Sequence, residues 1–144
     1  MSQLSRVAAG HGEETGAICL YALYDPASGR CRFTSAGHLP PALRENGGGV
    51  EFIDVPTGVM LGAGPSRYPV TDIRLSPGSV LALYTDGLIE RPGQDLGTGM
   101  SRLAGALAAG PSRSLGDLCD GVLARLGPLT RDDTALLLAR TTAC

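Results

Sequence analysis

SVLALYTDGLIER, residues 79–91, is an apolar run that ends on a single acid, Asp86, inside a Thr-Asp-Gly turn. Its core, VLALYT, shows no alternation of apolar and polar residues. The pattern predicts a strand buried on both faces, in the middle of the domain. A second stretch, RDDTALLLA at 131–139, inverts the order, with acids first and an apolar strand after. Carboxylates gathered at the ends of neighbouring central strands need something to offset their repulsion, and a hard divalent cation is the usual solution. Mg²⁺ or Mn²⁺ suits carboxylate and water ligands without His or Cys.

Upstream of this stretch, the chain reads as hairpins. AICLYALYD (17–25) stops at Asp-Pro, PASG supplies turn residues, and RCRFTSAG resumes, which predicts a hairpin. A turn centred on DPASGR sets Cys19 opposite Ala36, not Cys31. Pro40-Pro41 forces extended geometry on its predecessors, PALRE fits a short strand, and NGGG (46–49) turns the chain into VEFIDV. PTGVMLGAGPS is a loop or irregular strand, and YPVTDIRL alternates as a half-buried strand does.

Downstream, the period changes only after residue 99. GMSRLAGALAAG places Met100, Leu103 and Leu107 on one helical face, and Gly110-Pro111 ends it. SLGDLCDGVLARLG spaces Leu115, Leu118, Val122 and Leu126 helically, with Ser114 as N-cap. The fold class is α+β: a mainly antiparallel sheet arrangement with two helices inserted before the final strand.

At 144 residues and 43% hydrophobic, the chain has the size of one domain with one core. Twelve Lys and Arg against fourteen Asp and Glu, with neither sign forming a run, argue against an electrostatic nucleic-acid binder. No apolar run reaches the ~20 residues that span a bilayer, and no leader pattern opens the chain, so a cytoplasmic location without membrane partners is expected. Cys19, Cys31, Cys119 and Cys144 form no C-x-x-C and no Cys/His cluster, so buried free thiols are expected rather than zinc or dithiol chemistry.

Each acidic turn has an ordinary reading when taken alone. Asp-Gly is a favoured hairpin turn, because both residues tolerate positive φ. Asp132 and Asp133 read as solvated residues at a loop-to-strand boundary.

The joint pattern is more specific. AICLYALYDPASGRCRFTSAGHLPPAL, PTGVMLGAG, PGSVLALYTDGLIE and RDDTALLLAR occur in the order and wording of SpoIIE-type serine/threonine phosphatases, the bacterial branch of the metal-dependent protein phosphatase 2C family. The sequence resembles that family from about residue 17 to residue 140. The resemblance implies a four-layer αββα sandwich with two Mg²⁺ or Mn²⁺ ions between the sheets, and direct attack of metal-activated water on phosphoserine or phosphothreonine. By that resemblance Asp86, from the TDG turn, and Asp132, the first acid of the pair, are the metal-binding and catalytic positions. Asp133 is not assigned as a ligand, and His38 of AGHLPP takes a turn-holding role. The implied substrate is a phosphorylated anti-sigma-factor antagonist, which places the family in sigma-factor regulation.

One departure from the family pattern concerns the N-terminus. The GGDWYD-like strand and GDVxGHG-like turn that supply further acidic ligands are not found. Gly10-His11-Gly12 is preceded by Ala8 and Ala9, where an acid is expected. The expected organisation is therefore a flexible segment at 1–16, the C-terminal part of the phosphatase domain at 17–140, lacking its N-terminal strands, and a tail at 141–144. The two-metal site is incomplete on this reading. Exposed edges such as VLALYT are expected to favour a homodimer by strand pairing. The alternative class is a catalytically incomplete remnant, or an interaction module that binds a partner without turnover.

Overall fold

The computed structural model describes residues 16–64, 67–110, 114–128 and 133–142. Strands run in chain order as β1 (Cys19–Asp25), β2 (Arg30–Ala36), β3 (Ala42–Arg44), β4 (Val50–Phe52), β5 (Thr57–Gly58), β6 (Thr71–Arg74), β7 (Val80–Tyr84) and β8 (Leu136–Arg140). Three described helices, α1 (Asp86–Ile89), α2 (Leu96–Ala109) and α3 (Leu115–Leu126), lie between β7 and β8. The α+β class expected from sequence is found. The chain divides into two compact units, each holding one sheet.

The first unit takes the chain up to Pro40 and residues Asp54–Leu75. Its centre is the β1/β2 hairpin, in the register the turn predicts: Cys19 faces Ala36 and Tyr24 faces Cys31. Asp25 shapes the turn locally, accepting from the Ala27 N–H at 3.1 Å and the Ser28 hydroxyl at 2.5 Å. β6 joins β2 antiparallel and β5 joins it in parallel. Phe33 and Cys31 are fully buried, and burial pushes the Cys31 thiol up to about 11, out of the reactive range. Cys19, Cys31 and Cys119 are free, as expected, but Cys19 and Cys119 are only half-buried. Cys144 lies outside the described residues.

The second unit holds Pro41–Ile53 and Ser76–Ala143. Its sheet has the order β4-β3-β7-β8, all pairs antiparallel. β7 sits between β3 and β8 and is almost wholly buried, as its unbroken apolar pattern requires. One expectation is corrected here. The VLALYT edge is not exposed, because β3 and β8 of the same chain cover both of its sides. Thr141, just past β8, is buried, and its hydroxyl donates to the Ser76 carbonyl at 2.7 Å.

Helix α3 matches its predicted span, with the Ser114 hydroxyl accepting the Asp117 N–H at 3.0 Å. Leu118 and Val122 on α3, with Leu103 and Leu107 on α2, are fully buried in the helical layer. Helix α2 begins at Leu96, ahead of the expected change of period, because Asp95 caps it by accepting the Thr98 N–H at 2.9 Å. Gly97 and Gly99 look like breakers in sequence. Gly99 is there for contact, since a β-carbon would run into the Ile89 carbonyl at the end of α1. Arginines finish both long helices: Arg91 and Arg102 donate to the Leu126 carbonyl, and Arg125 to the Ala109 carbonyl.

Candidate active site

β7 delivers the chain to Thr85 and Asp86 at one end of the second unit's sheet, and β8 leaves from the acidic loop beside it. Tyr84 pairs with Leu136, so the last residues before the TDG segment lie alongside the first residues after the RDDT segment. The backbone ladder extends one step further, with the Thr85 N–H donating to the Ala135 carbonyl at 3.1 Å.

Thr85 then ties the two segments together through its side chain. Its hydroxyl donates to the Asp133 carbonyl at 2.8 Å and accepts the Ala135 N–H, also at 2.8 Å. One side chain therefore satisfies a donor and an acceptor on the opposite loop.

The Asp-Gly pair is not the two-residue hairpin turn that it suggests when read alone. Asp86 opens the one-turn helix α1, and Gly87 does not adopt positive φ. Leu88 and Ile89, both buried, anchor that turn below the site. Gly87 is required by proximity instead. A β-carbon there would stand 2.8 Å from Asp133 Oδ1 and 3.2 Å from both the Asp133 carbonyl oxygen and Thr134 Oγ1. Asp86 is half-buried, and its Oδ1 accepts the Gly87 N–H at 2.9 Å, which orients the carboxylate. Neither Thr85 nor Gly87 had been singled out from the sequence. The signal for both was the residues flanking Asp86 in TDG.

Asp132, the second expected ligand, lies outside the described residues. Its neighbour Asp133 is exposed, and its side chain meets Gly87. His38 belongs to the first unit, and its Nδ1 lies 2.8 Å from the Leu39 carbonyl oxygen, an arrangement that needs the proton on Nδ1. The His38 N–H donates to the Ser35 hydroxyl at 3.2 Å, in keeping with a turn-holding part. Tyr84 is buried below the site, and desolvation pushes its hydroxyl well above the ordinary range.

Hard oxygen donors fit Mg²⁺ or Mn²⁺ in kind. In number they supply part of a coordination shell: among the described residues no group of three or more His, Cys, Asp or Glu gathers. Among the described carboxylates, Asp86 is one that could contribute to such a shell, its Oδ1 oriented by the neighbouring Gly87 N–H.

The family described as Stage II sporulation protein E (SpoIIE) matches residues 1–142. The chain belongs to the SpoIIE family. The match takes in the first sixteen residues, of which 1–15 lie outside the described ones. Among solved structures, the chain is similar to the RsbU and RsbW domains of Rv1364c from Mycobacterium tuberculosis, at 31% identity and a TM-score of 0.83, over 96% of this chain and 40% of that one. It is also similar to RsbX in complex with magnesium, at 17% identity and a TM-score of 0.66, over 95% of this chain and 61% of that one. A third is the SiaA-PP2C domain of Pseudomonas aeruginosa, at 20% identity and a TM-score of 0.69, covering 96% and 68%. The fold is thus of the protein phosphatase 2C type. The SpoIIE-family chain spans 40% and 61% of the first two structures it matches.

Proposed function

We propose that this SpoIIE-family chain contributes to a metal-dependent protein serine/threonine phosphatase, with Asp86 and Asp132 holding Mg²⁺ or Mn²⁺. The observation that carries this reading is the lock between the TDG and RDDT segments, made by the Thr85 hydroxyl and the Gly87–Asp133 contact. That lock holds Asp86, just past the end of β7, beside Asp133–Ala135. When bound, the divalent ions would neutralise phosphoryl oxygens and make water a stronger nucleophile. The chain's own part is to hold the carboxylates: the Gly87 N–H keeps Asp86 Oδ1 in place, and buried Leu88 and Ile89 keep α1 against the sheet.

The substrate in this reading is a phosphorylated anti-sigma-factor antagonist, supported by similarity to the RsbU and RsbW domains of Rv1364c. A cytoplasmic location goes with it; among the described residues no helix is long and apolar enough to cross a membrane. A second copy of the chain, paired through a free sheet edge, is the other partner.

The test is Mn²⁺-dependent phosphate release from a phosphothreonine peptide by the purified chain. Asp86→Asn and Asp132→Asn should each lower release by at least about 100-fold. If the wild type releases no phosphate but still binds the phosphoprotein in EDTA, the non-catalytic interaction module replaces this reading.

A further inference from the structure

Helix α1 is four residues long, Asp86–Ile89, and its turn is closed by the Glu90 N–H donating to the Asp86 carbonyl at 2.8 Å. A single turn gains nothing from helical cooperativity, so its orientation has to come from outside it. At its start the Thr85 side chain does not cap it, because that hydroxyl is committed to Asp133 and Ala135. At its end the chain leaves through extended backbone at Glu90, and Arg91 follows.

Arg91 is half-buried, and its guanidinium bonds to two carbonyls. Nη1 donates to the Glu90 carbonyl at 2.8 Å, and Nη2 to the Leu126 carbonyl at 3.2 Å. One planar fork thus joins the exit of α1 to the end of α3. Leu126 is the last residue of α3, where a carbonyl has no partner within the helix and carries part of its negative end. Gly127, at φ +80°, turns the chain away directly after it.

Arg102 shares that acceptor without sharing the link. It donates to the Leu126 carbonyl at 2.8 Å, but its second bond, at 3.4 Å, goes to Gln94 Oε1 rather than to α1. Of these two arginines, Arg91 is the one bonded to the backbone on both sides of the junction.

We propose that Arg91 is a positioning residue for Asp86: its fork fixes the exit of α1 and, through the single turn between them, the carboxylate at the other end. Asp86 is then held from two sides, by the Thr85 lock ahead of it and by Arg91 behind it. The effect on metal binding rests on the reading of Asp86 as a ligand; the hold on Asp86 does not. A lysine at 91 keeps the charge beside the α3 terminus but replaces the fork with a point donor, which separates the two contributions.

The test has two arms on the 144-residue chain. In EDTA, NMR reads exchange with water at the Gly87 amide, which donates to Asp86 Oδ1, and at the Glu90 amide, which closes the turn. Arg91→Lys should speed both about tenfold beyond any change in global stability from urea melts, while the β7 amides follow global stability alone. Arg102→Gln, which takes a donor from Leu126 without touching Glu90, should move them less. Arg125→Ala, at an exposed arginine that finishes α2 instead, should not move them. In the second arm, without EDTA, Mn²⁺ affinity is read by water-proton relaxation, and Arg91→Lys should weaken it about tenfold, the low end of what losing a group that orients a ligand costs. Unchanged exchange at Gly87 and Glu90 overturns the proposal, as does an equal response to Arg102→Gln or a Mn²⁺ affinity that Arg91→Lys leaves intact. A wild type that binds no Mn²⁺ overturns the reading of Asp86 as a ligand, and the exchange rates still decide whether Arg91 holds Asp86.

Discussion

Gly87 carries no side chain because Asp133 and Thr134 occupy the space that one would need. Gly87→Ala should cost about 1–3 kcal/mol, the usual range for overpacking a tight contact, read as a lower urea midpoint. Gly105 is the control, since nothing lies within 4 Å of a β-carbon there. In the exposed middle of α2, Gly105→Ala should be neutral or stabilise by up to about 1 kcal/mol. Equal destabilisation by the two changes would mean that the Gly87 contact is not tight. At this scale half of the site was legible in the residues alone. Asp86 was legible, because an acid closing an unbroken apolar run is unusual. The Thr85 hydroxyl bridge and the Gly87 approach were not, since both depend on a segment some fifty residues away arriving at hydrogen-bond distance.

Among the elements, those whose pattern is set by burial on a sheet were readable. The β1/β2 register followed from its turn, and the place of β7 followed from its lack of alternation. Helix α1 was hidden, because four residues cannot display a helical period, and the start of α2 was masked by two glycines. The cap that does start α2 is titratable. The Thr98 backbone N–H, followed by the Thr98 hydroxyl, holds the Asp95 carboxyl below its ordinary value of 3.8. Asp25, through the Ser28 hydroxyl, and Asp72, through Arg30, are lowered likewise. A depressed folded-state value means that the stabilisation is present above about pH 4 and is lost as pH falls through the folded value. Urea midpoints should therefore drop as pH falls below about 4. Asp95→Asn keeps a capping oxygen without the charge, so its midpoint should fall less steeply over that window. All three carboxylates are solvent-exposed, so added salt should shrink the effect. An acid slope unchanged by the substitution would remove Asp95 from the account.

For the molecule as a whole, the expectation of self-association survives in a changed form. The edge first expected to drive it, β7, is enclosed by β3 and β8. Among the described residues β1 is paired along its length only with β2. It carries Tyr21 and Leu23 at 52% and 50% exposure, with Ile18 just before it at 57%. Alternate apolar residues on a strand with a free side are a template for another strand, and natural edges usually interrupt such a row with a charge. The hydrophobic pattern AICLYALYD announced a strand but not which side of it would lack a neighbour among the described residues, because that depends on the order in which distant strands join the sheet. Light scattering should show a mass that rises with protein concentration. Leu23→Lys puts a charge on the exposed face, opposite Arg32 in the register, and should return the chain to the monomer mass. A monomer across the whole concentration range in the wild type would leave β1 a passive edge. Association that persists in Leu23→Lys would move the contact to the edge of β8, where Leu137 is also more than half exposed.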